Sequence, residues 1–422
     1  MNWFAAEARD LPWRRTRDPY AIWVSEIMLQ QTQVNTVIPY WERWLRELPT
    51  IADAAKAPSA KLHKLWEGLG YYTRVRNLQK AAQAIVQRHG GEFPDDYADV
   101  LELPGIGRYT AGAICSIAFN QPTPILDGNV IRVLTRLFGI AENPKEKATN
   151  ARLWALAEEL VTQASSSRGR AAQARLGTSA RAGDHGCSHL NQSLMELGAL
   201  VCTPRNPQCP FCPVRRLCAA FRENRVDSLP NLGRREPATA RRFAAFILER
   251  DGKFLVRQRP AGEVNAHLWE FPNVELGTPV PTPSRRSRRI AEAQRDGNIP
   301  KAEGHPNSAS LPGVAVTPPA PEDPHLPANG LAEPARASVS AAAQALLGLA
   351  AVDLTPLLTV KHSITRYRIT LEGFRVDAGQ ANPPAHAGVW KTPAQMRRLA
   401  FTSAHRRILR KAVQRASRPR ID

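Results

Sequence analysis

The sequence is short of acidic residues, cysteines and long apolar runs, and each shortage excludes a class of protein. No segment of the 422 residues approaches the ~20 uninterrupted apolar residues that a membrane-spanning helix needs. Residues 1–17 contain no apolar run, so they do not form a secretory signal. Only 38 acidic residues stand against 57 Lys and Arg, which gives a formal charge of +19. We therefore expect a cytoplasmic protein that binds a polyanion, either nucleic acid or an anionic surface.

Strand-like alternation is scarce in residues 1–160, where apolar residues recur at helical spacing instead. The run from Tyr20 to Ile38 contains neither Gly nor Pro and is punctuated by Pro39 and Pro49. Further helices are predicted around Leu62–Trp66, Asn77–Arg88, Tyr97–Leu101, Thr110–Phe119, Val130–Phe138 and Leu190–Val201. Since the hydrophobic share of 43% also supports packed cores, we predict that this part of the chain is an all-α bundle.

The pattern changes after Arg241. Two apolar runs, Phe243–Leu248 and Lys253–Val256, flank the dipeptide Asp251-Gly252, which is typical of a β-hairpin. A second strand is predicted at Tyr367–Val376, with a break at Gly373. The sequence therefore predicts a small α+β domain over residues 240–415, preceded by a linker at 226–239.

Three segments lack the periodic apolar residues of a packed core. Residues 164–186 are rich in Ser, Gly and Arg and are predicted to be a flexible insertion. Residues 277–337 contain twelve prolines and are predicted to be disordered. Residues 397–420 contain nine basic residues and no acid, and the chain ends in a basic tail at 416–422. This stretch is either a phosphate-binding segment or the solvated face of a helix.

Four of the six cysteines lie within seventeen residues, at Cys202, Cys209, Cys212 and Cys218. A secreted disulfide framework would distribute its cysteines through a short chain, so a metal or iron–sulfur site in a reducing compartment fits better. Tetrahedral zinc and a [4Fe–4S] cluster both accept four cysteine ligands. Zinc sites usually pair two C-x2–4-C knuckles and only one is present here, so the spacing favours the cluster.

The run Leu103–Gly107 places Gly105 and Gly107 on either side of one apolar residue, between predicted helices. Such a turn can present backbone N–H groups to a phosphate at a helix N-terminus. Contacts of this kind would hold DNA regardless of its sequence. The alternative is an ordinary helix–helix turn, and the positive charge of the chain favours the nucleic-acid reading.

Two carboxylates stand out. Glu26 lies in an apolar predicted helix, and Asp127 immediately precedes the predicted helix Val130–Phe138. The commonest role for an aspartate at such a position is a helix N-cap. The ordinary alternative for Glu26 is a surface charge. Neither residue alone justifies a catalytic assignment.

The cysteine cluster, the glycine turn and the aspartate beyond it together resemble the helix–hairpin–helix, iron–sulfur DNA glycosylases. Longer motifs look like the MutY-type adenine DNA glycosylases. These motifs are Leu11–Arg14, Trp23–Val34, Gly68–Tyr72, and Asn191-Gln192 with Met195–Ala199. The resemblance is dense over residues 3–225 and loose over 240–415. It implies a helix–hairpin–helix glycosylase core at 1–225 with a [4Fe–4S] loop at 202–218, followed by a Nudix-like domain at 240–415.

The residue after the glycine turn separates two subfamilies. Bifunctional glycosylase/lyases of the endonuclease III type carry a lysine there, whose amine attacks the sugar as a Schiff-base nucleophile. Tyr109 occupies that place in this chain, and a phenol cannot form the imine. This indicates a monofunctional enzyme that leaves the DNA backbone intact.

The resemblance also implies roles for individual residues. Glu26 would protonate adenine at N7, and Asp127 would stabilise or transiently trap the oxocarbenium ion, as in glycoside hydrolysis. Tyr109 and Asn129 would orient these two groups. Positions that would contact DNA or line the base pocket are Gly105 and Gly107 in the turn, Gln31 and Tyr71 as wedges in the base stack, and Arg14 and Gln192 around adenine.

The Nudix-like domain of this family reads the 8-oxoguanine opposite the target adenine. Leu268–Pro272 fits that domain, and the chain carries no G-x5-E-x7-R-E-x2-E-E box, so pyrophosphate hydrolysis is not expected. The family's His-x-Phe-Ser-His loop is represented by His362–Arg366, in which Thr365 retains the hydroxyl while Ile364 and Arg366 replace Phe and His. The strength of the preference for 8-oxoguanine therefore stays open.

The sequence as a whole predicts a monomeric, bacterial, nucleoid-associated repair enzyme that hydrolyses the N-glycosidic bond of adenine mispaired with 8-oxoguanine or guanine. One alternative is an endonuclease III-like glycosylase for damaged pyrimidines. Another is a catalytically silent, DNA-binding iron–sulfur protein. Tyr109 argues against the first alternative, and the presence of both Glu26 and Asp127 argues against the second.

Overall fold

The computed structural model describes residues 2–166, 185–234, 236–277, 333–364, 366–379 and 382–416. The chain forms two compact units. The first unit consists of Met1–Pro237, Gln258–Glu270 and Ala394–Arg406, and the second of Ala238–Arg257, Phe271–Pro393 and Arg407–Asp422. In the described ranges, no helix has both the length and the apolar composition needed to cross a membrane.

Helices dominate the described residues. They are α1 Asn2–Glu7, α2 Pro19–Leu29, α3 Val34–Glu47, α4 Ile51–Lys56, α5 Ser59–Leu65, α6 Thr73–Arg88, α7 Tyr97–Glu102, α8 Arg108–Ala118, α9 Gly128–Leu137, α10 Lys147–Ser165, α11 Gly186–Leu200, α12 Ala219–Arg222, α13 Glu333–Leu347, α14 Pro393–Arg398 and α15 Ser403–Ala416. The strands are β1 Thr239–Arg250, β2 Lys253–Gln258, β3 Trp269–Glu270, β4 Asn273–Leu276, β5 Asp353–Ile364, β6 Tyr367–Asp377 and β7 Val389–Lys391. The predicted fold class, mainly α with a smaller α+β part, is confirmed.

The apolar run from Tyr20 to Ile38 folds as two helices rather than one. α2 ends at Leu29, α3 begins at Val34, and Gln31 between them has a φ of +55°. Pro39 lies inside α3, so the prediction that it punctuates the helix is wrong. A proline can remain in a helix at the cost of one backbone hydrogen bond, and the buried Val37, Trp41 and Trp44 hold α3 on the core.

Two apolar clusters form the core of the first unit, and α2 contributes to both. One cluster contains Trp23 of α2 together with Trp44 and Trp66. The other contains Ile22 of α2 packed with side chains of α8, α9, α10 and α11. Because neighbouring residues of α2 face different clusters, the middle of this helix is covered on most sides. A carboxylate placed there is withdrawn from water.

The sheet of the second unit confirms the predicted hairpin and the predicted strand. β1 pairs with β2 in antiparallel fashion around Asp251-Gly252, and β6 lies parallel to β1. β5 is antiparallel to β6, β4 pairs with β1, and β7 pairs with β2. The predicted break at Gly373 is wrong, because β6 continues through it and the irregularity lies in β5, between Pro356 and Leu358. A Cβ on Gly373 would lie 3.3 Å from the carbonyl oxygen of Leu358, which explains the glycine without a break.

The predicted insertions need correction at their ends. α10 extends to Ser165 and α11 begins at Gly186, so the outermost residues of 164–186 are helical. Helix α13 begins at Glu333, inside the segment 277–337, where alanine-rich sequence favours a helix. The remainder of these two predictions falls on 167–184 and 278–332, which lie outside the described residues, as do 417–422 of the basic tail.

Candidate active site

Glu26 lies in the middle of α2 and is only 6% exposed. The hydroxyl of Tyr109 donates a hydrogen bond to Glu26 Oε2 at 2.9 Å. Burial raises the pKa of Glu26 to about 7; the charge of Asp127 adds to the increase, and the hydrogen bond from Tyr109 opposes it. A carboxyl group with this pKa holds a proton in a large fraction of molecules at neutral pH, so Glu26 can serve as a general acid.

Tyr109 is the second residue of α8, two positions after Gly107 of the glycine turn. Its pKa lies well above the ordinary value, first because of burial and then because the carboxylates of Glu26 and Asp127 disfavour a phenolate. The phenol therefore keeps its proton and acts as a hydrogen-bond donor. Tyr109 has no amine nitrogen, so it cannot attack the sugar and form an imine.

Asp127 is the N-cap of α9, as the ordinary reading of the sequence predicts. Its Oδ1 accepts a hydrogen bond from the backbone N–H of Val130 at 2.8 Å, and its Oδ2 accepts one from the Asn129 side chain at 2.9 Å. Burial raises the pKa of Asp127, while these hydrogen bonds and the charge of Arg132 favour the ionised form. Asp127 therefore has two effects. Its carboxylate caps α9, and its negative charge also raises the pKa of Glu26.

Two arginines connect α9 to the cysteine loop. Neither of them was singled out from the sequence. Arg132 donates hydrogen bonds to Asn129 Oδ1 at 2.8 Å and to the carbonyl oxygen of Cys202 at 2.6 Å. One turn later, Arg136 donates to the carbonyl oxygen of Thr203 at 2.8 Å and approaches Cys202 Sγ at 3.4 Å. The spacing of four residues on one predicted helix was the only available signal in the sequence.

Arg14 lies close to these groups but is engaged by another carboxylate. It donates a hydrogen bond to Glu196 Oε2 at 2.8 Å, and Arg9 donates to both oxygens of the same group, at 2.8 and 2.6 Å. Burial alone would raise the pKa of Glu196, but the two arginines outweigh it and lower that pKa to about 2. Glu196, which is 1% exposed, was not singled out from the sequence although it lies in one of the recognised motifs.

The two predicted base-pocket residues face one cavity. Gln192 donates a hydrogen bond to Ser188 Oγ at 3.0 Å. A polar cavity of about 100 Å³ is lined by Arg14–Arg17, Ile117, Ser188 and Gln192. Glu26 is not part of this lining, so the structure brings Arg14 and Gln192 together without joining them to Glu26 through one cavity.

The glycine turn has the geometry that the sequence indicated. Gly105 has a φ of +80°, and a Cβ at this position would lie 2.5 Å from Asn77 Cβ, so only glycine fits. The buried Ile106 anchors the turn, and Gly107 is the N-cap of α8 with exposed, extended backbone. The first N–H groups of α8 are thus available to an anion at an exposed helix terminus.

The two predicted wedge residues are both exposed. Gln31 lies in the turn between α2 and α3, and Tyr71, 39% exposed, lies in the turn before α6. Its neighbour Tyr72 is buried instead and belongs to the core. Thr365 lies outside the described residues, between the end of β5 and the beginning of β6.

Cys202, Cys209, Cys212 and Cys218 are half-buried and form no disulfide. Burial raises the pKa values of Cys209 and Cys212, and the charges of Cys202 and Cys218 raise them further, so the four sulfurs are within electrostatic reach of one another. In the part of the chain that the structure describes, no three His, Cys, Asp or Glu side chains form a metal-holding group. Four free thiols in one loop are nevertheless the donor set that a [4Fe–4S] cluster accepts.

Comparisons with known proteins find DNA repair proteins. The sequence model for HhH-GPD superfamily base excision DNA repair proteins matches residues 24–159. An adenine DNA glycosylase from Rattus norvegicus is 40% identical over 329 residues, covering 65% of this chain and 60% of that protein. One from Buchnera aphidicola subsp. Schizaphis graminum is 33% identical over 276 residues, covering 65% of this chain and 74% of that protein. The chain thus spans about 60% of the length of the rat relative that it matches.

Among solved structures, a thermostable thymine-DNA glycosylase aligns with a TM-score of 0.43 and 28% identity, over 53% of this chain and 93% of that chain.

Proposed function

Because the chain belongs to the adenine DNA glycosylase family, we propose that it is a monofunctional DNA glycosylase of base excision repair. It hydrolyses the N-glycosidic bond of adenine that is mispaired with 8-oxoguanine or guanine in duplex DNA. It acts as a monomer, and its expected location is the bacterial nucleoid. The observation that carries the proposal is the pair of carboxylates, the buried Glu26 and the half-buried Asp127, which interact electrostatically and are surrounded differently.

The chemistry begins with proton transfer. Adenine leaves deoxyribose readily only when a ring nitrogen is protonated, because the bond breaks towards an oxocarbenium ion. Glu26, with a pKa of about 7, donates its proton to adenine N7, and the base departs as a neutral purine. Asp127 stabilises the positive charge that develops on the sugar, or adds to it transiently. A water molecule then completes the hydrolysis, with Glu26 in its ionised form accepting a proton.

Strand cleavage is not part of this reaction. The lyase step of endonuclease III-type enzymes requires an amine, and Tyr109 supplies a hydroxyl that hydrogen-bonds to Glu26. Tyr109 and Asn129 are therefore positioning residues, one for each carboxylate. This supports the monofunctional reaction over the endonuclease III-like alternative.

The substrate is duplex DNA, from which the target base is first extruded. Extrusion costs a few kcal/mol and costs less at a mismatch. Gln31 and Tyr71 enter the stack, the turn around Gly105 and Gly107 holds phosphates, and Arg14 and Gln192 line the base pocket. The Nudix-like domain reads the base opposite adenine, with Thr365 as the hydroxyl donor.

We assign a [4Fe–4S] cluster to Cys202, Cys209, Cys212 and Cys218. When bound, the cluster would fasten this loop through four iron–thiolate bonds. Cys212→Ser is expected to lower the iron and sulfide content of the purified protein and the visible absorbance of the cluster. Cys115→Ala, which changes a buried cysteine of α8 instead, is the matched control. Zinc without iron in the parental protein would contradict the assignment.

A single-turnover assay tests the function. Duplexes containing adenine opposite 8-oxoguanine, adenine opposite guanine, or thymine glycol are compared, each with and without alkali treatment. We expect adenine release from the first two duplexes, and strand breaks only after alkali. Strand breaks at thymine glycol without alkali would contradict the proposal and favour the endonuclease III-like alternative.

A further inference from the structure

Gln31 and Tyr71 share an unusual backbone conformation. Their φ angles are +55° and +47°, in the left-handed region that side chains other than glycine rarely adopt. Both side chains are exposed, so burial of the side chain does not fix either turn. Residues held in this region persist only where the surrounding structure over-determines them. The cause of the conformation must therefore lie in the backbone contacts of the two turns.

Each turn has a backbone hydrogen bond of its own, from Thr32 N–H to the Leu29 carbonyl oxygen and from Arg74 N–H to the Tyr71 carbonyl oxygen. The Arg74 side chain is the group that donates to both turns at once. Arg74 is the second residue of α6 and is 8% exposed. Its Nη1 donates hydrogen bonds to the carbonyl oxygen of Gln30 at 2.6 Å and to those of Ile27 and Met28 at 2.9 Å. Its Nη2 donates to the carbonyl oxygens of Leu69 at 3.0 Å and Gly70 at 3.1 Å, and to Thr32 Oγ1 at 3.3 Å.

The guanidinium reaches the peptide that precedes each of the two exposed residues. The carbonyl of Gln30 belongs to the peptide immediately before Gln31, and the carbonyl of Gly70 belongs to the peptide immediately before Tyr71. One planar group therefore holds the peptide before each exposed side chain, and the Gly70 carbonyl oxygen also accepts a hydrogen bond from Trp66 Nε1 at 3.1 Å. The guanidinium also lies 5.7 Å from the centre of the Tyr71 ring.

The acceptors explain why a buried cation is tolerated. They are five backbone carbonyls and one hydroxyl, and Ile27 and Met28 belong to the last turn of α2, where carbonyls lack helical partners. The negative end of the helix dipole adds to the attraction. Burial lowers the pKa of Arg74 to about 10, so the guanidinium remains charged at neutral pH.

We infer that Arg74 is a positioning residue for base extrusion: it holds Gln31 and Tyr71 at a fixed separation, so that both side chains meet the base stack in a prepared geometry. The inference rests on the proposed function and assigns a task that is separate from proton transfer. A turn with an exposed side chain would otherwise sample many conformations, and binding would have to order it.

Lysine cannot replace this residue. Its ammonium group is a compact donor with three protons, whereas the five N–H groups of arginine span a planar fork. Arg74→Lys retains the positive charge and the helix but cannot reach both turns together. Thr32→Val is a milder change, which removes the hydroxyl that accepts from Arg74 at 3.3 Å and donates to the Gln30 carbonyl oxygen at 3.4 Å.

The test compares two duplexes in single-turnover reactions with the full-length holoenzyme. In one duplex the target adenine faces 8-oxoguanine, and in the other it faces an abasic site and is already unpaired. Arg74→Lys is expected to slow adenine release from the paired duplex by about tenfold or more, because small displacements of positioning groups have effects of this size. Release from the unpaired duplex is expected to slow by less than about threefold, because less extrusion is needed.

The ratio of the two rates separates positioning from general damage, since a partly unfolded protein loses active molecules on both substrates alike. Arg88→Met is the matched control: it removes an exposed guanidinium from the end of the same helix and contacts neither turn. Its ratio should equal that of the parental protein. No loss on either duplex for Arg74→Lys would overturn the inference, and so would an equal loss on both when its active, folded fraction matches that of the parental protein.

A second readout does not require bond cleavage. 2-Aminopurine at the target position gains fluorescence when it leaves the stack, so the signal on binding reports extrusion directly. We expect a smaller gain with Arg74→Lys, and an intermediate gain with Thr32→Val should Arg74→Lys fail to fold. If the parental protein extrudes 2-aminopurine but does not release adenine, the proposed function is refuted and the role of Arg74 is not. If the variants gain as much fluorescence as the parental protein, the role of Arg74 is refuted and the proposed function is not.

Discussion

The middle of α2 and the N-terminus of α9 each bring one carboxylate to the candidate active site, but they surround it differently. Glu26 is enclosed by two apolar clusters and receives one hydrogen bond, from Tyr109. Asp127 receives hydrogen bonds from Val130 and Asn129 at a helix N-terminus. Burial raises both pKa values, but the donors around Asp127 favour its charge. In the proposed reaction, two groups of the same chemistry would thus have opposite tasks, one as proton donor and one as anion.

Glu26→Gln should cause the largest loss of activity among the variants of these two carboxylates and Tyr109. The amide is close in shape and still accepts the hydrogen bond from Tyr109, but it cannot deliver a proton. We expect the single-turnover rate of adenine release to fall by about 10³-fold, within the usual range for loss of a general acid. Glu47→Gln, which changes an exposed carboxylate of α3, serves as the control. Adenine release at the parental rate by Glu26→Gln would disprove the assignment of the acid.

Asp127→Asn should have a smaller effect, because it removes a charge near the sugar and leaves the proton donor in place. We expect a fall of about 10²-fold in the same assay, comparable with the loss of one electrostatic contact to a transition state. Asparagine is as good an N-cap as aspartate, so α9 and the unfolding midpoint should be preserved. A parental rate in this variant would show that helix capping is the whole role of Asp127.

The sequence predicted the position of each carboxylate in its helix better than the hydrogen bonds that surround it. Burial of Glu26 follows from the apolar residues of α2, and capping by Asp127 follows from its place before α9. The hydrogen bond between Tyr109 and Glu26 joins residues 83 positions apart, and no local pattern reports it. Arg132 was missed for the same reason, because only the tertiary structure reveals that a helical arginine is buried against Asn129 and the Cys202 carbonyl.

The fold shows the same division between local and distant causes. The hairpin of β1 and β2 follows from the Asp-Gly turn and was predicted, whereas β5 was not. Pro356 interrupts the pattern of β5, and the strand forms because it pairs with β6 on both sides of a register shift. Gly373 suggested a break for a local reason, but the strand continues through it, and a Cβ there would lie 3.3 Å from the carbonyl oxygen of Leu358 on the neighbouring strand.

The raised pKa of Glu26 should also make the stability of the protein depend on pH. The folded pKa of Glu26, about 7, lies above the ordinary value of 4.5, so the folded state holds its proton more tightly than the unfolded state. The contribution of Glu26 to stability is therefore fully present below pH 4.5 and is lost as the pH rises to about 7. Over that window, Glu26→Gln should gain up to about 3 kcal/mol in free energy of unfolding relative to the parental protein.

Urea denaturation at the two ends of this window measures that change. Glu47→Gln is again the control, because its exposed position gives no reason for a relative gain. A difference between Glu26→Gln and the parental protein that is constant with pH would mean that Glu26 has an ordinary pKa in the folded protein. The contrast between the two carboxylates would then have no electrostatic basis.

Tyr109→Phe should have the smallest effect and the most specific one. The hydroxyl lowers the pKa of Glu26, so its removal should raise that pKa above about 7. In the proposed reaction, activity requires protonated Glu26 and falls as the pH rises through its pKa, so the alkaline limb of the pH–rate profile should move to higher pH. At neutral pH the rate should change by less than about tenfold, because the variant retains the acid and loses only one hydrogen bond. An alkaline limb that stays in place, or moves to lower pH, would mean that the hydrogen bond from Tyr109 does not lower the pKa of Glu26. Burial of Glu26 in the middle of α2 would then have to account for that pKa alone.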